Sequence, residues 1–280
     1  MNSFDLDNFL LQAIAEDVGD GDHTSLSTIP PDAIGKAKLL IKDTGIIAGI
    51  DIAKRVFELI DPNLSFEKLI HDGSSVKHGE IAFYVEGPSR SIVTAERLAL
   101  NITQRMSGIA TQTRKIVDMI DPLGCKLLDT RKTTPGFRYF EKLAVKLGGG
   151  VNHRFGLYDM ILVKDNHIDY AGGIHNALRQ ISSYLKENHL QLKIEVEARS
   201  IEDVEIILQE NMAFRILLDN FSPEELANAV KLINGRVETE ASGGIDESNV
   251  AQYAATGVDY ISMGALTHRI HSLDLSLKAV

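Results

Sequence analysis

From about residue 120 onward the chain repeats one grammar. A short apolar run ends in a polar residue, a loop follows, and a helical pattern comes next. The apolar runs are 126–128, 160–163, 193–196, 215–218, 237–240 and 260–263. Helical periodicity falls between them at 174–185, 201–210, 223–233 and 247–255. Alternating strands and helices predict a parallel sheet, closed as a barrel or open as a doubly wound fold. No Gly-x-Gly-x-x-Gly follows an early strand, which argues against a dinucleotide fold and favours an α/β barrel.

The first third reads differently. Ser3 can cap a first helix whose apolar stripe is Phe4, Leu6, Phe9, Leu10, Ala13 and Ile14. The Asp/Gly-rich stretch 16–25 lacks the spacing and terminal Glu of an EF-hand and is read as a turn. Between Gly35 and Val93 short β-like segments (37–41, 46–48, 81–85) surround a helix at 51–60, a small α+β unit. A long helix is expected to begin at Thr94 and run to about Ile120, with the domain boundary inside it near Gly108. The expected domains are therefore 1–108 and 109–280.

Net charge is -10, which disfavours a general nucleic-acid or anionic-membrane surface. Yet 126–167 holds eight Lys/Arg against four Asp/Glu, so an acidic chain carries a basic middle. That pattern suggests a focused anion site. The single cysteine, Cys125, allows no intrachain disulfide and fits a reducing cytoplasm; it sits beside an apolar run and reads as core. The acidic start of the chain and the lack of a long apolar run give no expectation of a signal peptide or membrane span.

The strand ends carry the chemistry. Arg131 and Lys132 follow the first, and Lys164, Asp165, Asn166 and His167 the second. Glu195 and Glu197 lie in the third, on one face by alternation, and Asp219 ends the fourth. Ser242, Gly243 and Gly244 follow the fifth, and Gly264 with His268 the last. In a parallel barrel all these ends share one face. The glycines let backbone N–H groups approach an anion ahead of a helix expected from Asp246, as a phosphate loop would. Carboxylates Glu197 and Asp219 suggest Mg²⁺ or sugar hydroxyls, or ion pairs with nearby lysines. The loop 148–154 delivers His153 and Arg154. Metal binding by His153 and His167 is disfavoured because no paired helical spacing exists. Arg97 can reach a site or simply pair with Glu96.

At these residues the sequence resembles the quinolinate phosphoribosyltransferase family of NAD biosynthesis. The matching stretches are TAERLALNITQRMSGIAT (94–111), DTRKTTPG (129–136), GGGVNHR (148–154) and DMILVKDNH (159–167). They continue with Glu195 to Glu197, LLDNF (217–221), EASGGI (240–245) and GVDYISMGALTH (257–268), so nearly the whole chain is covered. Arg269 departs from the smaller residue expected after His268 and bears on the phosphate loop.

The resemblance implies an N-terminal α/β sandwich, an incomplete open-sided α/β barrel, and a tail (269–280) returning to the first domain. It implies a homodimer, or an assembly of dimers, with Arg97 entering the partner's site. Arg131, His153, Arg154 and Lys164 would hold the two carboxylates of quinolinate, and Lys132 would lie between the substrates. Glu197 and Asp219 would hold ribose hydroxyls and Mg²⁺. Ser242, Gly243, Gly244, Gly264 and His268 would take the 5-phosphate of phosphoribosyl pyrophosphate. Lys132, Lys164, Glu197 and Asp219 are the expected catalytic groups. Three rivals remain: a transferase acting on a monocarboxylate such as nicotinate, a Schiff-base lyase using Lys164, and a non-catalytic phosphosugar sensor.

Overall fold

The computed structural model describes residues 4–280, which fall into two compact units. The first comprises residues up to Arg114, 134–149 and 269–280. The second comprises 115–133 and 150–268.

In the first unit, helix α1 (Leu6–Val18) is capped by Asp5, whose carboxylate accepts the Asn8 N–H at 3.0 Å. The capping role suggested for Ser3 lies outside the described residues. A short helix α2 (His23–Thr28) follows, capped by Asp22. The strands are β1 (Ile34–Ile41), β2 (Gly45–Ile46), β3 (Ser65–Lys68), β4 (Ser75–Val76) and β5 (Ile81–Pro88), with helix α3 (Ile50–Ile60) among them. A last strand, β12 (Leu275–Ala279), pairs antiparallel with β1 and completes a sheet of order β12-β1-β5-β3. Phe57 of α3 packs on Phe66 and Phe83 of that sheet, with ring centroids 6.0 Å away in each case. Such aromatic burial supplies much of the driving force for a small layer.

Helix α4 (Ser89–Ile120) starts directly after β5, five residues before the expected Thr94. Thr94 is therefore no cap; its hydroxyl donates to Asp22 at 3.3 Å. The helix starts early because Ile92 is buried, and its packing outweighs the low helix propensity of the β-branched Ile92-Val93 pair. Helix α5 (Arg138–Leu147) also belongs to this unit. Its Glu141 is fully buried and is neutralised by Arg105 at 2.6 Å, while Glu141 also accepts the Thr134 N–H at 3.1 Å.

The second unit contains six parallel strands: β6 (Lys126–Leu128), β7 (Ile161–Val163), β8 (Ile194–Ala198), β9 (Arg215–Asp219), β10 (Glu238–Ser242) and β11 (Tyr260–Ser262). Their order is β6-β11-β10-β9-β8-β7, so β6 and β7 are the two unjoined edges of an open α/β barrel. All six expected strands form, each within two residues of its expected start. The intervening helices are α6 (Asp165–Ala171), α7 (Ile174–Glu187), α8 (Ile201–Glu210), α9 (Pro223–Ile233), α10 (Val250–Ala254) and α11 (Ala265–His268).

Helix α10 is shorter than the sequence suggests. Asp246 turns back to accept the Ser248 N–H and hydroxyl at 2.8 and 2.6 Å, and Asn249 accepts the Asp246 N–H at 2.8 Å. These local side-chain bonds compete with helical ones and delay the helix to Val250. The expected helix terminus directly behind Gly243 and Gly244 is thus absent. Cys125, just before β6, is buried, and burial pushes its thiol up to about 12, so it is core.

Candidate active site

Strand register puts charge inside the barrel. Glu195 stands opposite Arg215, and Arg215 opposite Glu238. One rung further, Glu197, Leu217 and Glu240 align; beyond them Asp219 aligns with Ser242. Paired residues of a parallel sheet project from the same face, so these rungs stack along the interior.

Arg215, only 7% exposed, is the hub of the lowest rung. Its Nη1 lies 3.1 Å from Glu240, and its Nε and Nη2 donate to Glu238 at 3.0 and 2.7 Å. Glu195 is 3.9 Å away, and the Tyr260 ring centroid lies 4.2 Å from the guanidinium. His153 bridges the same acids from above: its Nε2 is 3.1 Å from Glu195 and 3.3 Å from Glu240. Burial opposes charging this ring, but the two carboxylates outweigh it and raise its pKa to about 9. The Arg154 N–H donates to Nδ1 at 2.7 Å, so a second ring proton requires that bond to open. Burial drives Glu195 up to about 7, and neither of its oxygens has a well-aligned donor among the described residues. Glu240 is held low in spite of burial, chiefly by His153.

His153, Glu195 and Glu240 bring ligand atoms within 4.8 Å of one another. Arg215 already occupies the side of these carboxylates that a cation would need, so the cluster is an ion network. His167, the other histidine considered, accepts the Lys164 N–H at the start of α6.

Above the network lies a pocket of about 280 Å³. Arg131, Lys132, His153, Arg154, Lys164, Glu240 and Ser242 border it, with Leu162 and Leu217 as an apolar wall. Arg131 and Lys132 have no acidic partner among the described residues. Burial lowers the Arg154 pKa, and repulsion from Arg131 lowers it further, so two guanidinium groups crowd one another. Lys164 is paired with Glu197 at 3.0 Å, and Glu197 also accepts the Asp165 N–H at 3.2 Å. That answers the sequence alternative for Glu197, an ion pair with a nearby lysine, and it separates Glu197 from Glu195, which serves the network below. An ion-paired ammonium is a poor Schiff-base nucleophile, which weighs against the lyase reading.

The glycines are demanded by close approach. Gly243 has φ +93°, and a Cβ there would lie 2.2 Å from Asn220 Oδ1. A Cβ on Gly264 would lie 2.7 Å from the Lys132 side chain and 3.3 Å from the His268 ring. The Thr267 hydroxyl, one residue before His268, donates to the Lys132 carbonyl at 2.8 Å. Lys132, Gly264 and His268 are thus brought together, as are Gly243 and Asp219 through Asn220, whose amide donates to Asp219 at 2.6 Å. Gly244 is exposed beside them. Arg97 is not among the residues lining this pocket. It is exposed on α4 and borders a hollow of the first unit with Asp22, His23 and Thr94. Sequence reasoning missed Arg215 and Glu240 as site support, although period-2 placement in strands 215–218 and 237–240 carried the signal.

Fold and pocket together define an α/β-barrel protein equipped to hold a polyanionic small molecule. Residues 22–107 match the family model "Quinolinate phosphoribosyl transferase, N-terminal domain", and 109–278 match "Quinolinate phosphoribosyl transferase, C-terminal domain". The chain belongs to this family. It is 46% identical to "Quinolinate phosphoribosyltransferase [decarboxylating] 1b" of Nicotiana tabacum, over 99% of this chain and 83% of that protein. It is 41% identical to "Probable nicotinate-nucleotide pyrophosphorylase [carboxylating]" of Bacillus subtilis, over 99% and 94%. The solved structure of NadC from Streptococcus pyogenes superposes with TM-score 0.93 at 37% identity, covering 100% of this chain and 99% of that one.

Two outcomes follow from the network. Arg215→Ala strands buried carboxylates and should cost about 3–5 kcal/mol in urea unfolding; a loss under about 1 kcal/mol contradicts the hub role. The raised His153 pKa means its stabilising contribution is complete below about 6.5 and is lost as pH rises through about 9. Unfolding midpoints should fall between pH 8 and 10 in the native protein and stay flatter in His153→Gln; parallel curves would contradict this.

Proposed function

We propose that this chain transfers the phosphoribosyl group of phosphoribosyl pyrophosphate to quinolinate, giving nicotinate mononucleotide, pyrophosphate and CO₂. The observation that carries the reading is the set of unpaired cations, Arg131 and Lys132 beside the crowded Arg154, in a family of this name. A planar dicarboxylate matches two guanidinium forks. In this reading Arg131 and Arg154 take the carboxylates, Lys164 closes the acid's other edge, and His153 borders the acid from below. Ser242, Gly243, Gly244, Gly264 and His268 receive the 5-phosphate, and Lys132 lies at the seam between the substrates.

The pyridine nitrogen forms a bond to the sugar carbon as the bond to pyrophosphate breaks and its electrons leave with pyrophosphate. The ring carbon next to the alkylated nitrogen then releases CO₂, keeps the electron pair, and takes a proton from solvent. Glu197 and Asp219 face the cationic charge that develops at the sugar carbon. Positioning and electrostatics carry most of the rate, with no covalent nucleophile.

Oxygen donors at Asp219 and Glu197 suit Mg²⁺. Lys164 and the Asp165 N–H already engage Glu197, so its hold would run through water, while Asp219 would offer the oxygen Asn220 leaves. Bound there with pyrophosphate, Mg²⁺ would neutralise the leaving group.

The reading also includes a homodimer, or an assembly of dimers, with Arg97 contributed across the interface. Exposed Leu157, Tyr170 and Tyr184, which line one hollow with Ile161, Leu162 and Val163 of β7, support a covered face, since such patches are uncommon on monomers. A cytoplasmic location is proposed on the strength of the single buried cysteine. No helix among the described residues is long and apolar enough to cross a membrane.

Protein mixed with Mg²⁺, phosphoribosyl pyrophosphate and quinolinate should yield nicotinate mononucleotide, and Arg131→Ala should lower kcat/KM for quinolinate more than about tenfold. Product from nicotinate but none from quinolinate contradicts the reading. Arg97→Ala should be inactive alone and regain activity when subunits are exchanged with a Lys164→Ala variant; no recovery after demonstrated exchange contradicts a shared site.

A further inference from the structure

Asp129 is fully buried at the end of β6, and nothing in the site described above uses its charge directly. An uncompensated carboxylate there would be costly. Two of its donors come from a different loop. The His153 N–H donates to Oδ1 at 2.8 Å, and the Asn152 side-chain amide donates to Oδ2 at 2.6 Å. The Asp129 N–H in turn donates to the Val151 carbonyl at 3.2 Å, and the Val151 N–H to Leu127 at 2.8 Å. Leu128 and Val151 thereby form a parallel bridge along the edge of β6 that β11 leaves unpaired.

Asp129 therefore ends the strand that delivers Arg131 and Lys132, and clamps the turn that delivers His153 and Arg154. A second carboxylate closes the far side of that turn: Asp159 accepts the Phe155 and Gly156 N–H groups at 2.6 and 3.0 Å. The two cationic loops are thus tied at one buried point, and the second loop is pinned at both ends. Charge-assisted bonds of this kind hold geometry more firmly than neutral ones.

We propose that Asp129 is a positioning residue that fixes the spacing between the Arg131-Lys132 loop and the His153-Arg154 turn, so that the pocket is preset for an acid with two carboxylates. This rests on the quinolinate reading given above. Preset cations spare the acid the cost of ordering two loops, and the benefit falls on that substrate more than on the phosphosugar.

An exchange of partners tests it. In Asp129→Asn an amide faces the Asn152 amide; in Asn152→Asp two carboxylates meet. The double variant Asp129→Asn/Asn152→Asp restores one donor and one acceptor, with an oxygen left for the His153 N–H. Each single variant should raise KM for quinolinate at least about tenfold while KM for phosphoribosyl pyrophosphate moves less than about twofold. The double variant should return to within about threefold of the native value. An unchanged quinolinate KM, an equal rise in both KM values, or no recovery in the double variant overturns the proposal.

If Asp129→Asn does not fold, Asn152→Ala, at an exposed position, should show the same split at about threefold. Amide hydrogen exchange over residues 150–156 reads the anchor without any substrate. It should quicken in Asp129→Asn or Asn152→Ala, and an unchanged rate overturns the anchor. Native protein that makes no mononucleotide, yet shows the exchange difference, contradicts the functional reading and leaves the anchor standing.

Discussion

Carboxylates inside a parallel barrel must be neutralised from within, and Arg215 meets that requirement. Strand register makes the problem unavoidable: β8, β9 and β10 align Glu195, Arg215 and Glu238 on one rung, with Glu240 on the next. An apolar barrel floor would be simpler to stabilise, since buried ion pairs gain little over well-packed hydrophobic residues. The charged floor instead fixes what lies above it. His153 is held over Glu195 and Glu240 by its Nε2, which fixes the ring at the floor of the pocket.

The pocket then has an uneven charge balance. Lys164 is answered by Glu197, but Arg131 and Lys132 have no acidic ion-pair partner among the described residues, and burial together with Arg131 weakens the hold of Arg154 on its proton. A site so arranged is satisfied only when an anion enters. The glycines on the opposite side complete it by steric permission: any side chain at Gly243 would meet Asn220, and any at Gly264 would meet Lys132. Cations and close backbone approach are thus packed against each other, with Thr267 tying the two sides through the Lys132 carbonyl.

Much of this was legible in the sequence because strand ends announce themselves. The alternation of apolar runs and helices located all six barrel strands, and the strand ends placed Arg131, Lys132, Lys164 and Ser242 around one pocket, with Glu197 paired to Lys164. What stayed hidden depended on contacts across many residues. The sequence grouped Glu195 with Glu197, yet the first serves Arg215 and His153 while the second serves Lys164. Asp129 had no visible partner because Asn152 and His153 come from beyond a helix of the other unit. Helix α10 looked longer because side chains of Asp246 and Asn249 take the first bonds, a competition that periodicity does not register.

In the proposed reaction the barrel mouth selects an acid with two carboxylates. Calorimetric titration of the native protein with quinolinate and, separately, with nicotinate tests it most directly. The second carboxylate should make quinolinate bind at least about tenfold more tightly, a difference of about 1.4 kcal/mol. Equal affinities, or tighter binding of nicotinate, would contradict the account.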